Sequence, residues 1–242
     1  MPEIATMSIE DIIVFLFRNY SLRKVFKIAK EGNWNNHNIL LRDYKQKIDS
    51  KKFNKITKKL LLERNKRIKP LIDNKIISSW NAITLIGLLN CYQATNDNKI
   101  LELATKNAKF IKDKLITKST ITRVYKNKIG GFLDDYAYVI KSFIKYFETT
   151  QNFTYLNKAR ELIEETIKNF YCPKNKLFYY TSNTSEKLIS RKIEIFDSVI
   201  PSSNSIMYYN LLFLGKIYDD TLYLNIYNNM NFKLEKYLNN YE

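Results

Sequence analysis

The strongest constraint on the fold is an alternation between two kinds of predicted helix. Segments that are apolar on two or more sides are residues 80–92, 133–147 and 206–217. Segments with a single apolar stripe or a mixed pattern follow each of them, at residues 99–116, 155–170 and 221–238. A helix that is apolar on most sides is buried, whereas a helix with one stripe lies at a surface. The alternation therefore predicts an all-α protein in which inner and outer helices form an α/α toroid, with a generic stack of helical repeats as the alternative.

Composition agrees with a helical core, because 45% of the 242 residues are hydrophobic and the chain has only 5 Gly and 4 Pro. Two loops nevertheless contain short β-branched or aromatic runs, which predict small β-hairpins. One run covers residues 120–125. The other covers residues 177–181, which we expect to pair with residues 187–193.

The region before the alternating helices is polar and irregular, and we predict two parts, residues 1–66 and residues 67–242. Ser8 is a plausible N-cap for a first short helix. A basic amphipathic helix is predicted within residues 45–69, ending before Pro70. The apolar run at residues 12–17 is far too short to span a bilayer.

The net charge of +16 comes mostly from lysines that accompany many asparagines and isoleucines. No stacking platform or binding motif accompanies this charge, so it indicates a solvated surface rather than a nucleic-acid interface. The two cysteines, Cys91 and Cys172, form no metal or disulfide pattern, which favours a cytoplasmic setting; Cys91 is predicted to be a small core residue. No cofactor or metal site is predicted.

A polar cluster opens each of the three inner helices, and these clusters supply the candidate site residues. The candidate acids are Asp73, Asp134, Asp135 and Asp197. The candidate ligand-binding residues are Arg67, Trp80, Asn81, Tyr136, Arg191, Ser203 and Asn204. Parallel inner helices would bring their N-termini to one mouth of the ring, so the clusters would share a pocket. Aromatic rings beside carboxylates and amides suit a sugar, with Trp80 and Tyr136 stacking on its ring.

The carboxylates could also perform general acid–base catalysis. Asp134 and Asp135 point about 100° apart on a helix, so both cannot face one bond. A glycosidase-like pair would combine one of them with Asp73 or Asp197, at roughly 5 to 9.5 Å. The alternative is that these polar residues are helix caps and loop scaffolding. Since His37 is the only histidine, a histidine-based epimerase is excluded for this chain.

Taken in order, the clusters resemble a family of proteins that join a thioredoxin-like domain to a C-terminal barrel similar to six-hairpin glycosidases and N-acylglucosamine epimerases. The resemblance rests on Gly32-Asn33-Trp34 with Asn38-Ile39-Leu40, on residues 67–81, on Gly131-Phe132-Leu133-Asp134-Asp135-Tyr136-Ala137, and on Arg191, Asp197 and residues 201–204. It implies a six-hairpin glycosidase-like toroid. Family members are longer, and nothing before Met7 could encode the thioredoxin-like domain, so we expect an incomplete toroid.

The resemblance therefore implies the barrel portion of a thioredoxin-domain-containing protein that binds or processes a sugar-like ligand, with glycosidase-like chemistry if it is active. The alternative is a non-catalytic scaffold or a remnant of a decayed gene without activity. Implied partners are a separately encoded thioredoxin-like domain or a chain that completes the barrel. Neither nucleic acid nor a membrane is expected as a partner.

Overall fold

The structure is a computed structural model that describes residues 24–47, 49–185 and 190–238. The chain divides between Ile72 and Asp73 into two compact units. The predicted helix capped by Ser8 lies outside the described residues.

The N-terminal unit contains helix α1 (Ser50–Asn65). The basic helix is thus shorter at both ends than the predicted segment. Residues before it form turns, one of which is closed by the Asp43 carboxylate accepting the backbone N–H of Lys45 at 3.0 Å. Such a local side-chain bond competes with helix formation. Asn38 is almost fully buried in the preceding loop, where its side chain pairs with both backbone groups of Ala29 at 3.0 Å.

Within its described residues, the second unit contains three antiparallel helical hairpins. Their helices are α2 (Ser78–Thr95), α3 (Asn98–Phe110), α4 (Leu133–Thr150), α5 (Phe153–Phe170), α6 (Ser203–Tyr218) and α7 (Thr221–Leu238). Helices α2, α4 and α6 pack side by side in that order, and α3, α5 and α7 each pack on the helix before them. The predicted alternation of inner and outer helices is confirmed.

Each hairpin turns in the same way, through a residue with a left-handed backbone conformation. Asn96, Gln151 and Asp219 end the three inner helices with φ of 54°, 57° and 50°. The residues that follow begin the outer helices; Asp97 and Asn152 cap them by accepting the N–H two residues on. Short tight turns of this kind force each outer helix to run back along its inner helix.

The inner helices differ in how many of their residues are buried. The central helix α4 has neighbours on both sides, and twelve of its eighteen residues are buried. In α2, by contrast, only five of eighteen residues are buried, although the helix contains no charged residue. The prediction that Cys91 is a core residue is wrong, because Cys91 lies on the exposed face of α2.

Two small antiparallel hairpins occupy the loops after α3 and α5. The five residues after α3 form a π-helical turn, and strand β1 (Ile116–Thr117) then pairs with β2 (Thr120–Ile121). Strand β3 (Tyr171–Cys172) pairs with β4 (Leu177–Phe178). Strand β4 thus pairs with the segment before it, a pairing that the sequence does not predict. Residues 186–189 of the predicted partner lie outside the described residues, and Tyr180 N–H still donates to the Lys192 carbonyl at 2.8 Å.

Candidate functional site

The first turn of α4 is tied to the first turn of α2 through Asp135. This side chain is fully buried, and its Oδ1 accepts the backbone N–H of Ser79 at 2.9 Å. Its Oδ2 accepts the N–H of Phe132, the residue before the helix, at 3.0 Å. A carboxylate is favoured at this position because it satisfies N–H groups that have no partner within a helix and lies at the positive end of the helix dipole.

Arg123, on the segment that follows β2, bridges both aspartates of α4. Its Nη1 lies 3.0 Å from Asp134 Oδ1 and 2.9 Å from Asp135 Oδ2. The guanidinium also lies over the ring of Phe132, 4.7 Å from its centre. The Arg123 carbonyl accepts the N–H of Ser78 at 2.9 Å, so one residue joins the loop to both inner helices.

The two aspartates of α4 differ in environment. Burial, and next the negative charge of Asp134, raise the pKa of Asp135 to about 6, against the opposing effects of Arg123 and the two N–H groups. Asp134 keeps 13% of its side chain exposed and lines a cavity. Asp135 is therefore the internal anchor, and Asp134 is the carboxylate that a ligand can reach.

Gly131 lets the chain pass close to β2 just before α4. Its N–H donates to the Ile121 carbonyl at 2.7 Å, and a Cβ at this position would lie 3.0 Å from that oxygen. The N–H of Ile121 in turn donates to the Tyr136 hydroxyl at 3.2 Å. Tyr136 is 4% exposed and packs on Phe170, so its ring has no open face on which the predicted ligand could stack.

A cavity of about 480 Å³ lies where the starts of α4 and α6 meet. Asp134, Tyr180, Glu194 and Ser203 are among the residues that line it, and most of its wall is formed by residues 192–203. The Tyr138 hydroxyl donates to the Pro201 carbonyl at 2.8 Å and fastens this wall to α4. Together with the Ser79–Asp135 bond, this contact brings the three inner-helix N-termini together, as predicted.

Asp197 lies in the same loop and is exposed, but its side chain does not line the cavity. Its Oδ1 accepts the N–H of Ser202, the N-cap of α6, at 2.8 Å. Burial, followed by the charges of Asp197 and Asp134, raises the pKa of Tyr138 to about 12. Both carboxylates therefore act on one hydroxyl at the edge of the cavity.

Two other predicted ligand-binding residues hold the loops that form the cavity, and a third lines it. The buried Asn204 side chain accepts the N–H of Phe178 at 2.9 Å and donates to the carbonyls of Phe178 and Glu194 at 3.0 and 2.8 Å. Arg191 donates to the Thr181 carbonyl and lies 4.2 Å from the centre of the Tyr179 ring. Ser203 is 2% exposed and lines the cavity.

The first polar cluster is more dispersed. Asp73 pairs with Lys75 at 3.0 Å on an exposed loop. Trp80, in the first turn of α2, is 59% exposed, and the Asn81 amide donates to the Ile77 carbonyl at 2.8 Å. Arg67 belongs to the N-terminal unit, where its N–H donates to the Arg64 carbonyl at 3.2 Å.

Sequence reasoning missed Arg123, Tyr138, Tyr180 and Glu194 as parts of the site. Arg123 and Tyr180 lie in or next to runs that resemble strands, and Glu194 lies in a loop without a motif. No spacing signal in the sequence points to them. Within the part of the chain that the structure describes, no group of three or more His, Cys, Asp or Glu residues is placed to hold a metal ion.

The inner helices packed side by side, each with its outer helix, form part of an α/α toroid of the six-hairpin glycosidase-like class. Solved structures of this class match the chain. A GH76 α-mannanase of Bacteroides thetaiotaomicron matches with a TM-score of 0.53 and 19% identity over 65% of this chain and 44% of its own. A cellobiose 2-epimerase of Bacillus thermoamylovorans matches with a TM-score of 0.52 and 12% identity, over 65% and 43%. An α-1,6-mannanase of Salegentibacter, solved with α-1,6-mannotetrose as an inactive variant with two consecutive aspartates replaced, matches with a TM-score of 0.52 and 14% identity, over 75% and 52%.

Among proteins compared by sequence, the chain is similar to mouse spermatogenesis-associated protein 20, with 25% identity over 81% of this chain. An uncharacterized protein of Caenorhabditis elegans is 31% identical over 82% of this chain. The chain spans 29% and 27% of the lengths of these two relatives. No family model matches it. No helix among the described residues is long and apolar enough to cross a membrane.

Proposed function

We propose that the cavity between the starts of α4 and α6 binds a sugar-like ligand, and that Asp134 is its principal acidic group. The observation that carries this proposal is the geometry of Asp134, which Arg123 holds at 3.0 Å while part of its side chain faces a cavity of about 480 Å³. A cavity of this size is in the range that small ligands occupy. Carboxylate, phenol and serine hydroxyl groups in its wall suit hydrogen bonding to sugar hydroxyls.

The known toroids support this choice of ligand. The matched structures include a mannanase, a mannosidase and a cellobiose epimerase, which act on carbohydrates. The mannanase variant with two consecutive aspartates replaced is inactive, and this chain also has two consecutive aspartates at the start of an inner helix. These structures are less than 25% identical to this chain, so they guide the choice of ligands to test.

If the site is catalytic, we propose glycosidase-like chemistry in which Asp134 works with a second carboxylate. Glu194 lines the cavity together with Asp134, and Asp197 lies in the same loop and acts on Tyr138, whereas Asp73 is paired on an exposed loop. Asp135 would act as a positioning residue, because it is buried and directs its oxygens to backbone N–H groups and Arg123. Burial, and next the negative charge of Asp134, raise the pKa of Asp135.

A non-catalytic scaffold, or a gene remnant without activity, is the second candidate. It is favoured by the engagement of Asp135, Asn204 and Arg191 with backbone groups, which are contacts that hold loops in place. In this case the toroid would work in the cytoplasm with a separately encoded thioredoxin-like or barrel-completing chain, and it would be part of a protein similar to spermatogenesis-associated protein 20.

Tryptophan fluorescence separates these two functions. Trp80 becomes the only tryptophan in a Trp34→Phe variant, because the chain has 2 tryptophans. Trp80 follows Ser79, whose hydroxyl lies 3.5 Å from Asp134 Oδ2. We therefore expect a ligand at Asp134 to cause a saturable change in Trp80 emission, with at least one of a panel of sugars that includes α-1,6-mannotetraose, mannose and cellobiose. The same panel should show release of reducing ends that Asp134→Asn abolishes if the site is catalytic. A folded protein that responds to no sugar in the panel would favour the scaffold.

A further inference from the structure

The charged side chains at the cavity are mostly acidic, although the chain as a whole has a net charge of +16. Among the described residues, Asp134 and Glu194 line the cavity with carboxylates, and Lys192 is the one lining residue with a cationic side chain. Asp197 adds a third carboxylate beside the cavity, and its charge acts together with that of Asp134 on the hydroxyl of Tyr138. The cavity is therefore an acidic site in a basic chain.

The carboxylates that line the cavity also act on the hydroxyl of Tyr180, another lining residue. Burial, and next the charge of Asp134, raise the pKa of this hydroxyl; Glu194 adds to the rise and Arg123 opposes it. The Tyr180 ring packs on Phe132 with ring centres 5.2 Å apart, which keeps it in place. Since both carboxylates act on one phenol, they share one region of the cavity, where a positive charge on a ligand would be stabilised.

The cationic partner of Glu194 is easily displaced. Lys192 Nζ lies 2.9 Å from Glu194 Oε1, and the Lys192 side chain is 72% exposed, whereas that of Glu194 is 29% exposed. An ion pair with a lysine this exposed contributes little, because water screens it and the long side chain loses freedom. A cationic group on a ligand can therefore replace Lys192 at Glu194.

The starts of α4 and α6 would attract an anionic ligand, because helix N-termini favour negative charge. Groups of the chain itself already occupy them. The Asp135 carboxylate accepts the N–H of Phe132, and Asp197 Oδ1 accepts the N–H of Ser202 at 2.8 Å. Ser202 Oγ in turn accepts the N–H of Ser205 at 3.2 Å. These contacts satisfy the helix starts and leave negative charge beside the cavity.

We propose that the cavity prefers a sugar with a protonated amino group, and that Glu194 binds the ammonium group in place of Lys192. Asp134 and the Tyr180 hydroxyl then bond to the neutral hydroxyls of the same sugar. Hydrogen bonds in which a partner is charged are stronger than neutral ones, so the contact with Glu194 sets the preference. This inference rests on the proposed function, because it concerns the same cavity.

Calorimetric titration of the parent chain at about pH 6.5, where an amine of this kind carries its proton, tests the preference. The amino sugars are glucosamine and mannosamine. Their matched controls are glucose and mannose, in which a hydroxyl replaces the amino group, and glucuronic acid is the anionic sugar. At least one amino sugar should bind about tenfold more tightly than its control, which is the effect of one hydrogen bond between charged groups. Added salt should reduce this difference.

Two substitutions should change the affinity for the amino sugar in opposite directions. Glu194→Gln removes the negative charge and should lower this affinity about tenfold. Lys192→Gln removes the competing lysine and should raise it about twofold to fivefold. Lys158→Gln is the matched control, because Lys158 pairs with Glu161 on the outer helix α5 and the net charge changes by the same amount. A purely structural role of the Lys192–Glu194 pair would make both cavity substitutions act in the same direction.

Four results would overturn the proposal. Equal binding of the amino sugars and their controls would remove the preference and leave the proposed function intact. Tighter binding of glucuronic acid would show that the cavity selects anions. An amino-sugar preference that Glu194→Gln does not reduce would place the ammonium group elsewhere. Binding by none of these sugars would contradict the proposed function as well.

Discussion

The backbone N–H of Ser79 donates to Asp135 Oδ1 at 2.9 Å, although 56 residues separate the two. Ser79 lies in the first turn of α2, and Asp135 lies in the first turn of α4. This one contact sets the starts of two inner helices at a common height. The Tyr138–Pro201 hydrogen bond extends the same arrangement to α6.

We expect Asp135→Ala to destabilise the second unit by about 3 kcal/mol or more. The substitution leaves one buried and one partly buried N–H group without acceptors, and each loss costs about 1 to 3 kcal/mol. Urea unfolding followed by circular dichroism measures the effect. Asp73→Ala, which removes an exposed carboxylate, should leave the midpoint unchanged.

The same carboxyl group should make stability depend on pH. The pKa of Asp135 in the folded chain, about 6, lies above the ordinary value of 3.8, so the folded chain binds this proton more tightly than the unfolded chain. Its contribution to stability is therefore fully present below pH 4 and is lost as pH rises towards about 6. The loss is on the order of 3 kcal/mol.

Unfolding free energies measured at steps between pH 4 and pH 7 check this sign. The parent chain should lose more stability over this interval than the Asp135→Asn variant, whose side chain does not titrate. An equal loss in both chains would show that Asp135 does not titrate differently in the folded state.

Two adjacent glycines offer a matched pair of substitutions. Gly131→Ala should cost about 1 to 3 kcal/mol, because the new Cβ would lie 3.0 Å from the Ile121 carbonyl oxygen, which belongs to the backbone and cannot easily move. Gly130→Ala should be neutral or slightly stabilising, because a Cβ there would meet nothing within 4 Å. Thermal unfolding of the two variants gives the comparison, and equal midpoints would contradict it.

Tyr138→Phe tests how the cavity wall is fastened. Loss of the hydroxyl removes the 2.8 Å bond to the Pro201 carbonyl and should cost about 1 kcal/mol. Amide hydrogen exchange should rise in residues 197–202 more than in the helices. Tyr44→Phe, which changes a largely solvent-exposed ring, is the control and should alter neither quantity.

The sequence was sufficient to predict the helices and the meeting of their N-termini. The spacing of apolar residues distinguishes the inner helix α4, which is apolar on two faces, from the outer helix α5, which has one apolar stripe. Residues of helix-cap type mark several of the helix starts. It could not separate the roles of Asp134 and Asp135, because a difference of one residue rotates a side chain by about 100° and the direction of the neighbouring helices decides which is buried. The partner of both, Arg123, comes from a loop whose position depends on the β1–β2 hairpin.

The sequence also does not predict which faces of the inner helices are exposed. Helix α2 is as apolar as a fully covered helix, and its periodicity gives no sign that Cys91 is exposed. Exposure depends on which helices are present as neighbours, and a pattern within one helix does not carry this information. The pairing of β4 with β3 was missed for a similar reason, because three short runs compete for one partner.

Calorimetric titration with the sugar panel tests the central claim that the Asp134 cavity holds the ligand. Val199→Trp adds bulk at a cavity-lining residue that is 97% exposed, so it should block the cavity without disturbing the core. Leu103→Trp adds the same bulk on the outer helix α3. The account predicts that the parent chain and Leu103→Trp bind at least one sugar of the panel, such as α-1,6-mannotetraose, and that Val199→Trp does not. Binding of equal strength in Val199→Trp, or no binding by the parent chain, would contradict it.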